Sequence, residues 1–426
     1  MKSKSFRILM LCLVFSVCLT VCAAADFRHL PCDADGDMVL TADEVNSAVC
    51  SYMLREDRPL KDVKDAAYVC KYWGGEPKTL TDSTGREFTM YRPVSRVVTT
   101  NPDNSRIVIA MGELDKLVAT DECTVDSSVL PREKGTKLCP GAWEQLQIYG
   151  GGQLDELPVT NTRKEIDYET IAMLKPDLVL DTRWYDRSEL IEERIDCPCC
   201  AAGADFVFAG NMEHIRLIAK IFDKEERGEE LVNYLQSQID MVKERTDAVP
   251  EEDRPTVYFA PRGAKKGFYD EVEGRDFTRT EAFYEPLNAA GGINVAAGVQ
   301  GDTVNVAPEQ IVAWNPDVIF VAWSWNASPD EETGVDFVME TPEMADVTAV
   351  KKAQVYSCVY PYSRGTPFDR SMLNMLYMAK CMYPDKFADI SMEEYGNELY
   401  RQILGVDGLV TDLMDSWVFL KNVDAG

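Results

Sequence analysis

YETIAMLKPDLVL at residues 168–180 and PEQIVAWNPDVIF at residues 308–320 decide the fold, because both read E-x-I-x-x-x-x-P-D followed by apolar β-formers. Each predicts a helix, a Pro-Asp turn and a buried strand. One spacing used twice, with a glutamate leading both copies, predicts two related lobes. Around the first copy, β-rich runs at Val97–Thr99, Leu117–Thr120, Leu178–Asp181 and Phe206–Ala209 alternate with helical stretches. Around the second, Val257–Ala260, Val318–Ala322 and Val355–Ser357 repeat the alternation, and a helical region from Ser371 to about Leu404 closes it. The expected class is α/β, with mainly parallel sheets in two Rossmann-like lobes. Between the lobes the chain reads as helix from Asn211 to Asp247, interrupted near Asp223. Its later part, Glu225–Asp247, spans roughly 35 Å at ~1.5 Å per residue and would serve as a rigid bridge.

The N-terminal segment carries Lys2, Lys4 and Arg7, an apolar run from Ile8 to Val21 and then Ala23-Ala24-Ala25, which is the pattern of a secretory signal with an A-x-A cleavage site. The chain is therefore expected to be exported, to a periplasmic or cell-surface location. Retention of the segment as an anchor, or lipid attachment at Cys22, is the alternative. The net charge of −28 excludes nucleic acid and anionic membrane surfaces as partners. Of 13 cysteines, three fall in the signal. The even remainder is compatible with disulfides or burial, and Cys197-Pro198-Cys199-Cys200 is a candidate soft-metal cluster.

Residues 26–78 read as a small separate helical module. Asp33, Asp35, Asp37, Thr41 and Glu44 fall at positions 1, 3, 5, 9 and 12 of a calcium-binding loop, with Val39 supplying a carbonyl between them. Oxygen donors at that spacing suit a hard cation, so Ca²⁺ is the one cofactor expected. Met38 stands where such loops have glycine for a sharp turn. The segment resembles a single EF-hand or dockerin-type loop, followed by helices at about Ala42–Leu54 and Leu60–Tyr72.

After a hairpin with its bend at Asp82–Gly85, the segments TDSTGREFTMYRPVSRVVTT, MGELDKLVAT, the first repeat, the long helix, AAGGINVAAG, the second repeat and AVKKAQVY follow in that order. This order, over about residues 79–404, resembles the iron-siderophore, haem and cobalamin branch (class III) of the ABC-transporter periplasmic-binding-protein family. The resemblance implies two lobes joined by a rigid helix, a ligand cleft between them and delivery to membrane permease subunits. It divides the chain into a signal (1–25), the calcium-loop module (26–78), an N-terminal lobe (79–222), a connecting helix (223–249) and a C-terminal lobe (250–426). It also implies that Glu169 and Glu309, which open the two repeated helices, dock on the permease. Arg106 departs from the acidic residue that many relatives carry in that segment.

A cleft for a large chelated or planar ligand needs aromatic faces and a few cationic groups. Arg183-Trp184-Tyr185, Trp323 and Trp325, Tyr360, Tyr362 and Arg364, and Arg262 each follow an expected strand, where ligands of open α/β sheets sit. These nine residues are the expected ligand-binding set. With only His29 and His214 in the chain, a histidine-rich zinc or manganese site is excluded. No G-x-S-x-G, P-loop or dinucleotide fingerprint is present, so an enzyme is not expected. The expected function is extracytoplasmic capture of an iron chelate by a monomer, with corrinoid or haem as the alternative ligand. A calcium-dependent surface scaffold is the alternative of a different class.

Overall fold

The structure is a computed structural model. It describes residues 30–54, 58–125, 153–161, 165–185, 187–203, 207–261, 276–301, 303–322, 334–359, 361 and 368–413. Two compact units emerge, one of residues up to Thr79 with Thr89–Arg92, the other of Leu80–Phe88 with Pro93 onward.

In the first unit, helices α1 (Ala42–Met53) and α2 (Leu60–Trp73) pack through Leu30, Leu40, Ala48, Val63, Ala66 and Val69. Thr41 starts α1 with a capping box, its hydroxyl accepting the Glu44 N–H while the Glu44 carboxylate accepts the Thr41 N–H at 2.9 Å. Gly74 ends α2 in the left-handed conformation, a position that favours glycine. The ribbon β1 (Lys78–Thr81) and β2 (Glu87–Met90) follows.

The second unit holds two parallel sheets. In the first lobe, β3 (Val97–Thr99), α3 (Pro102–Ala110), β4 (Leu117–Asp121), α4 (Glu122–Val125), β5 (Val159–Asn161), α5 (Tyr168–Leu174), β6 (Leu178–Thr182), α6 (Ser188–Ile195) and β7 (Cys199–Ala202) form a sheet ordered β5-β4-β3-β6-β7. Helix α7 (Phe208–Ile221) and the long α8 (Glu225–Asp247) lead to the second lobe. There β8 (Thr256–Ala260), β9 (Arg279–Glu281), α9 (Glu285–Ala289), β10 (Ile293–Asn294), β11 (Thr303–Asn305), α10 (Pro308–Trp314), β12 (Val318–Ala322), α11 (Gly334–Glu340), α12 (Thr348–Lys351) and β13 (Val355–Cys358) supply a sheet ordered β10-β8-β12-β13 and the antiparallel pair β9–β11. Helices α13 (Phe368–Met382), α14 (Met392–Leu404) and α15 (Leu409–Leu413) complete it. Every residue of β3, β6 and β12 is buried, as expected for parallel strands covered on both faces.

The expected strand at Phe206–Ala209 is not one. Phe208 opens α7, whose buried face runs Phe208, Asn211, Met212, Ile215, Ile218 and Ala219 at helical spacing. That longer period outweighs a four-residue apolar run, and the strand is the Cys-Cys-Ala-Ala segment before it. Cysteines 199 and 200 adjoin in this strand and so face opposite sides of the sheet, which separates the candidate soft-metal cluster. Cys32, Cys50, Cys70, Cys197, Cys199, Cys200, Cys358 and Cys381 are free thiols, and six of these eight are buried.

The repeated Pro-Asp turn does the same physical job in both lobes. Asp177 Oδ2 accepts from Ser95 N, Ser95 Oγ and Arg96 N at 2.7–2.9 Å, just before β3. Asp317 Oδ2 accepts from Thr256 N at 3.0 Å and Thr256 Oγ1 at 2.7 Å, at the start of β8. In each lobe the preceding helix ends on a left-handed residue, Lys175 or Asn315, at φ 49° and 48°. Hydrogen bonds to a charged acceptor contribute more than neutral ones, so Asp177→Ala and Asp317→Ala should each cost about 2 kcal/mol of stability. Urea unfolding measures this, and a loss below ~0.5 kcal/mol in both variants would show that the clamp contributes little.

Candidate functional site

The order of the first-lobe strands reverses between β3 and β6, the switch point at which open α/β sheets bind ligands beyond the strand ends. At this point the backbone gives way to a polar floor. Thr100, just past β3, donates its hydroxyl to Asp181 Oδ1 at the end of β6. Arg187 grips the same carboxylate with Nε at 2.8 Å and Nη2 at 2.7 Å. Asn161 Nδ2, from the end of β5, donates to the Thr100 carbonyl at 2.6 Å. Beneath them, Thr99, Ser105, Thr120 and Thr124 share hydroxyl hydrogen bonds with one another, and Thr124 donates to Asp121 Oδ2 at 2.6 Å.

The expected Arg183-Trp184-Tyr185 segment lies on this rim. Arg183 is half-buried, its side chain packed over Gly203, where a β-carbon would meet the Arg183 Cγ at 2.8 Å. Its guanidinium lies over the Trp184 ring at 5.2 Å, and Arg187 lies over Tyr185 at 4.6 Å. Trp184 and Tyr185 remain 52% and 48% exposed, so two cation–π pairs present flat faces to solvent. Arg187 was not among the expected residues; its signal was its position opening α6 right after the aromatic pair. Arg262, Trp323, Trp325, Tyr360, Tyr362 and Arg364 lie outside the described residues. Glu169 and Glu309 each occupy the second position of a seven-residue helix, α5 and α10, and both are exposed.

His214 is buried in α7 and bonded within the first lobe. Asn104 uses its amide nitrogen on the Asp181 carbonyl at 3.0 Å, so its oxygen is the acceptor for His214 Nε2 at 2.7 Å, and the imidazole carries its proton there. Nδ1 is buried without a protein partner, as are Asn161 Oδ1 and Asn211 Oδ1. Burial, and then the charge of Arg183, hold the His214 pKa down at about 3.

In the acidic loop, carboxylate oxygens of Asp33, Asp35 and Asp37 lie within 4.8 Å of one another. Asp33 accepts from Gly36 N at 2.7 Å and Met38 N at 2.9 Å, and Asp37 accepts from Val39 N at 2.8 Å. Glu44 reaches back to Ala34 N at 2.8 Å, and the N–H groups of Thr41 and Ala34 hold its pKa at about 2. Met38 adopts φ 66°, so it makes the turn usually made by glycine. Its side chain packs on the core of the module.

Residues 97–360 match the family model described as periplasmic binding protein. The chain belongs to that family. This makes it a solute-binding component of transport. It is similar to the molybdate-binding protein MolA of Haemophilus influenzae, 24% identical over 59% of this chain and 73% of the relative. It is also similar to an uncharacterised ABC transporter substrate-binding lipoprotein of Bacillus subtilis, 23% identical over 74% of this chain and 88% of the relative. Among solved structures, a periplasmic solute-binding protein from Veillonella parvula superposes with a TM-score of 0.61 at 18% identity, covering 82% of this chain and 99% of that one. These structural likenesses place the fold in class III. Among the described residues, no helix is long and apolar enough to cross a membrane.

A histidine whose folded pKa lies below its unfolded value of about 6.5 binds a proton more readily when unfolded, so stability falls as pH drops through that window. Between pH 7 and pH 5 the loss from His214 should approach ~2 kcal/mol. His214→Gln keeps a donor for Asn104 and should flatten that slope in urea unfolding. An equally steep slope in the variant would assign the acid sensitivity elsewhere.

Proposed function

We propose that the chain is the extracytoplasmic capture subunit of an ABC importer and that its ligand is an anionic metal complex, with an iron chelate of the siderophore type as the first reading. The observation that supports it is the pair of guanidinium–aromatic stacks, Arg183 on Trp184 and Arg187 on Tyr185, at the switch point. Arg187 is paired with Asp181, and Arg183 stands at the rim beside an exposed ring. Such a face suits a large ligand with negative charge and flat chelating groups. Arg262, Trp323, Trp325, Tyr360, Tyr362 and Arg364 are proposed to line the opposite side. Similarity to a molybdate-binding protein favours a second reading, a small metal oxyanion.

Calorimetric titration with ferric hydroxamate, ferric catecholate and sodium molybdate separates these readings. The first predicts binding of a ferric chelate and at least a tenfold weaker Kd in Arg183→Ala, about 1.4 kcal/mol. Molybdate binding alone supports the second reading, and no binding of any probe rejects both. Glu169 and Glu309 are proposed to present the loaded receptor to arginines of the permease. The double reversal Glu169→Lys with Glu309→Lys should abolish uptake while leaving ligand affinity within a few-fold; weakened binding would remove the docking role.

The acidic loop is proposed to hold Ca²⁺ through Asp33, Asp35, Asp37, the Val39 carbonyl, Thr41 and Glu44. Calorimetry should find one calcium ion per chain, lost in Asp33→Ala with Asp35→Ala. Equal calcium uptake by that variant would place the ion elsewhere.

A further inference from the structure

The long α8 is not the sole connection between the lobes. Helix α3 of the first lobe packs on α14 of the second and reaches α13 through a buried charge in that seam. Arg106 is 2% exposed, in the interior of α3. Its Nη1 lies 3.1 Å from Asp103 Oδ1, one turn back on the same helix, and its Nε lies 3.5 Å from Asp369 Oδ1 on α13. Asp369 is itself 1% exposed, and Tyr400 of α14 donates its hydroxyl to Asp369 Oδ2 at 3.0 Å. Arg227, at the start of α8, clips the same seam at its end, donating to the Ala110 carbonyl of α3 and the Gln402 carbonyl of α14. On another side, Phe208 N, at the start of α7, donates to the Glu285 carboxylate of the second lobe.

We infer that Arg106 is a positioning residue for ligand capture, the pin about which the two lobes turn. This rests on the reading that solute enters between the lobes. Three features carry the inference. The charge is buried with opposite charges from both lobes, so separating α3 from α13 would strand unpaired ions away from water. The inter-lobe contact has slack, since Asp369 Oδ1 and Arg106 Nη2 make no hydrogen bond, and Coulomb attraction at 3.5 Å tolerates a change of angle that a bidentate fork would resist. The pin also ties the switch-point end of β3 to the second lobe, since helix α3 continues directly from Thr99 and Thr100 while Asp369 stands in the first turn of α13. The departure at Arg106 noted in the sequence thus has a partner, Asp369, more than two hundred residues away.

Hydrogen exchange of the full chain, without ligand, tests this. The paired replacement Arg106→Met with Asp369→Leu keeps the volume and removes both inter-lobe charges, so the seam can fold without its pin. Exchange in segments 99–104 and 368–374 should then rise at least tenfold, while β6 and β12 keep their wild-type protection. Arg106→Lys, which retains the charge, should stay within about threefold of wild type. Unchanged exchange in the paired variant, or an equal rise in both sheets, would overturn the assignment. Because no ligand is present, neither outcome depends on what the gap binds.

Discussion

A single carboxylate in each lobe fixes where neighbouring parallel strands begin, and the placement of the ligand-facing ends follows from it. Asp177 collects three donors ahead of β3, and Asp317 collects two at the start of β8. Parallel strands have no hairpin to set their register, so some other contact must do so. Once the lower ends are aligned, the upper ends of β3 and β6 are level, and Thr100 meets Asp181 across the switch point. The exposed rim residues are therefore positioned by a contact at the opposite edge of the sheet.

The electrostatic plan of the rim is one of local neutralisation. Asp181 is fully buried, and its charge is balanced by Arg187 and a hydroxyl. Arg183 packs against Gly203 and is close enough to His214 to help hold its pKa down.

Much of this architecture was legible in the sequence because buried parallel strands declare themselves as short apolar runs. Val97–Thr99, Leu178–Thr182 and Val318–Ala322 needed no partner to be read. The strands that escaped reading, at Val159–Asn161, Cys199–Ala202 and Arg279–Glu281, are short, or built from small residues whose burial depends on what packs over them. The repeat showed that the two glutamate-led helices correspond, but not that the aspartate of the Pro-Asp pair is the clamp. Of the site, the aromatic and arginine triplet at 183–185 was visible from its place after a strand. Asn104, Asn161 and Asp181 were not, since a buried amide or carboxylate has no periodic signature and its role appears only with its partner, 61 to 81 residues distant.

The thiols have a consequence of their own. Cys199, Cys200, Cys358 and Cys381 are sealed within the two lobes, and burial raises the pKa of each, leaving almost no thiolate to react. As free thiols these four pack as small apolar side chains, so their burial requires no oxidant. A thiol reagent would then act as a clock of opening, silent while the sheets hold and reactive in proportion to the time they spend apart.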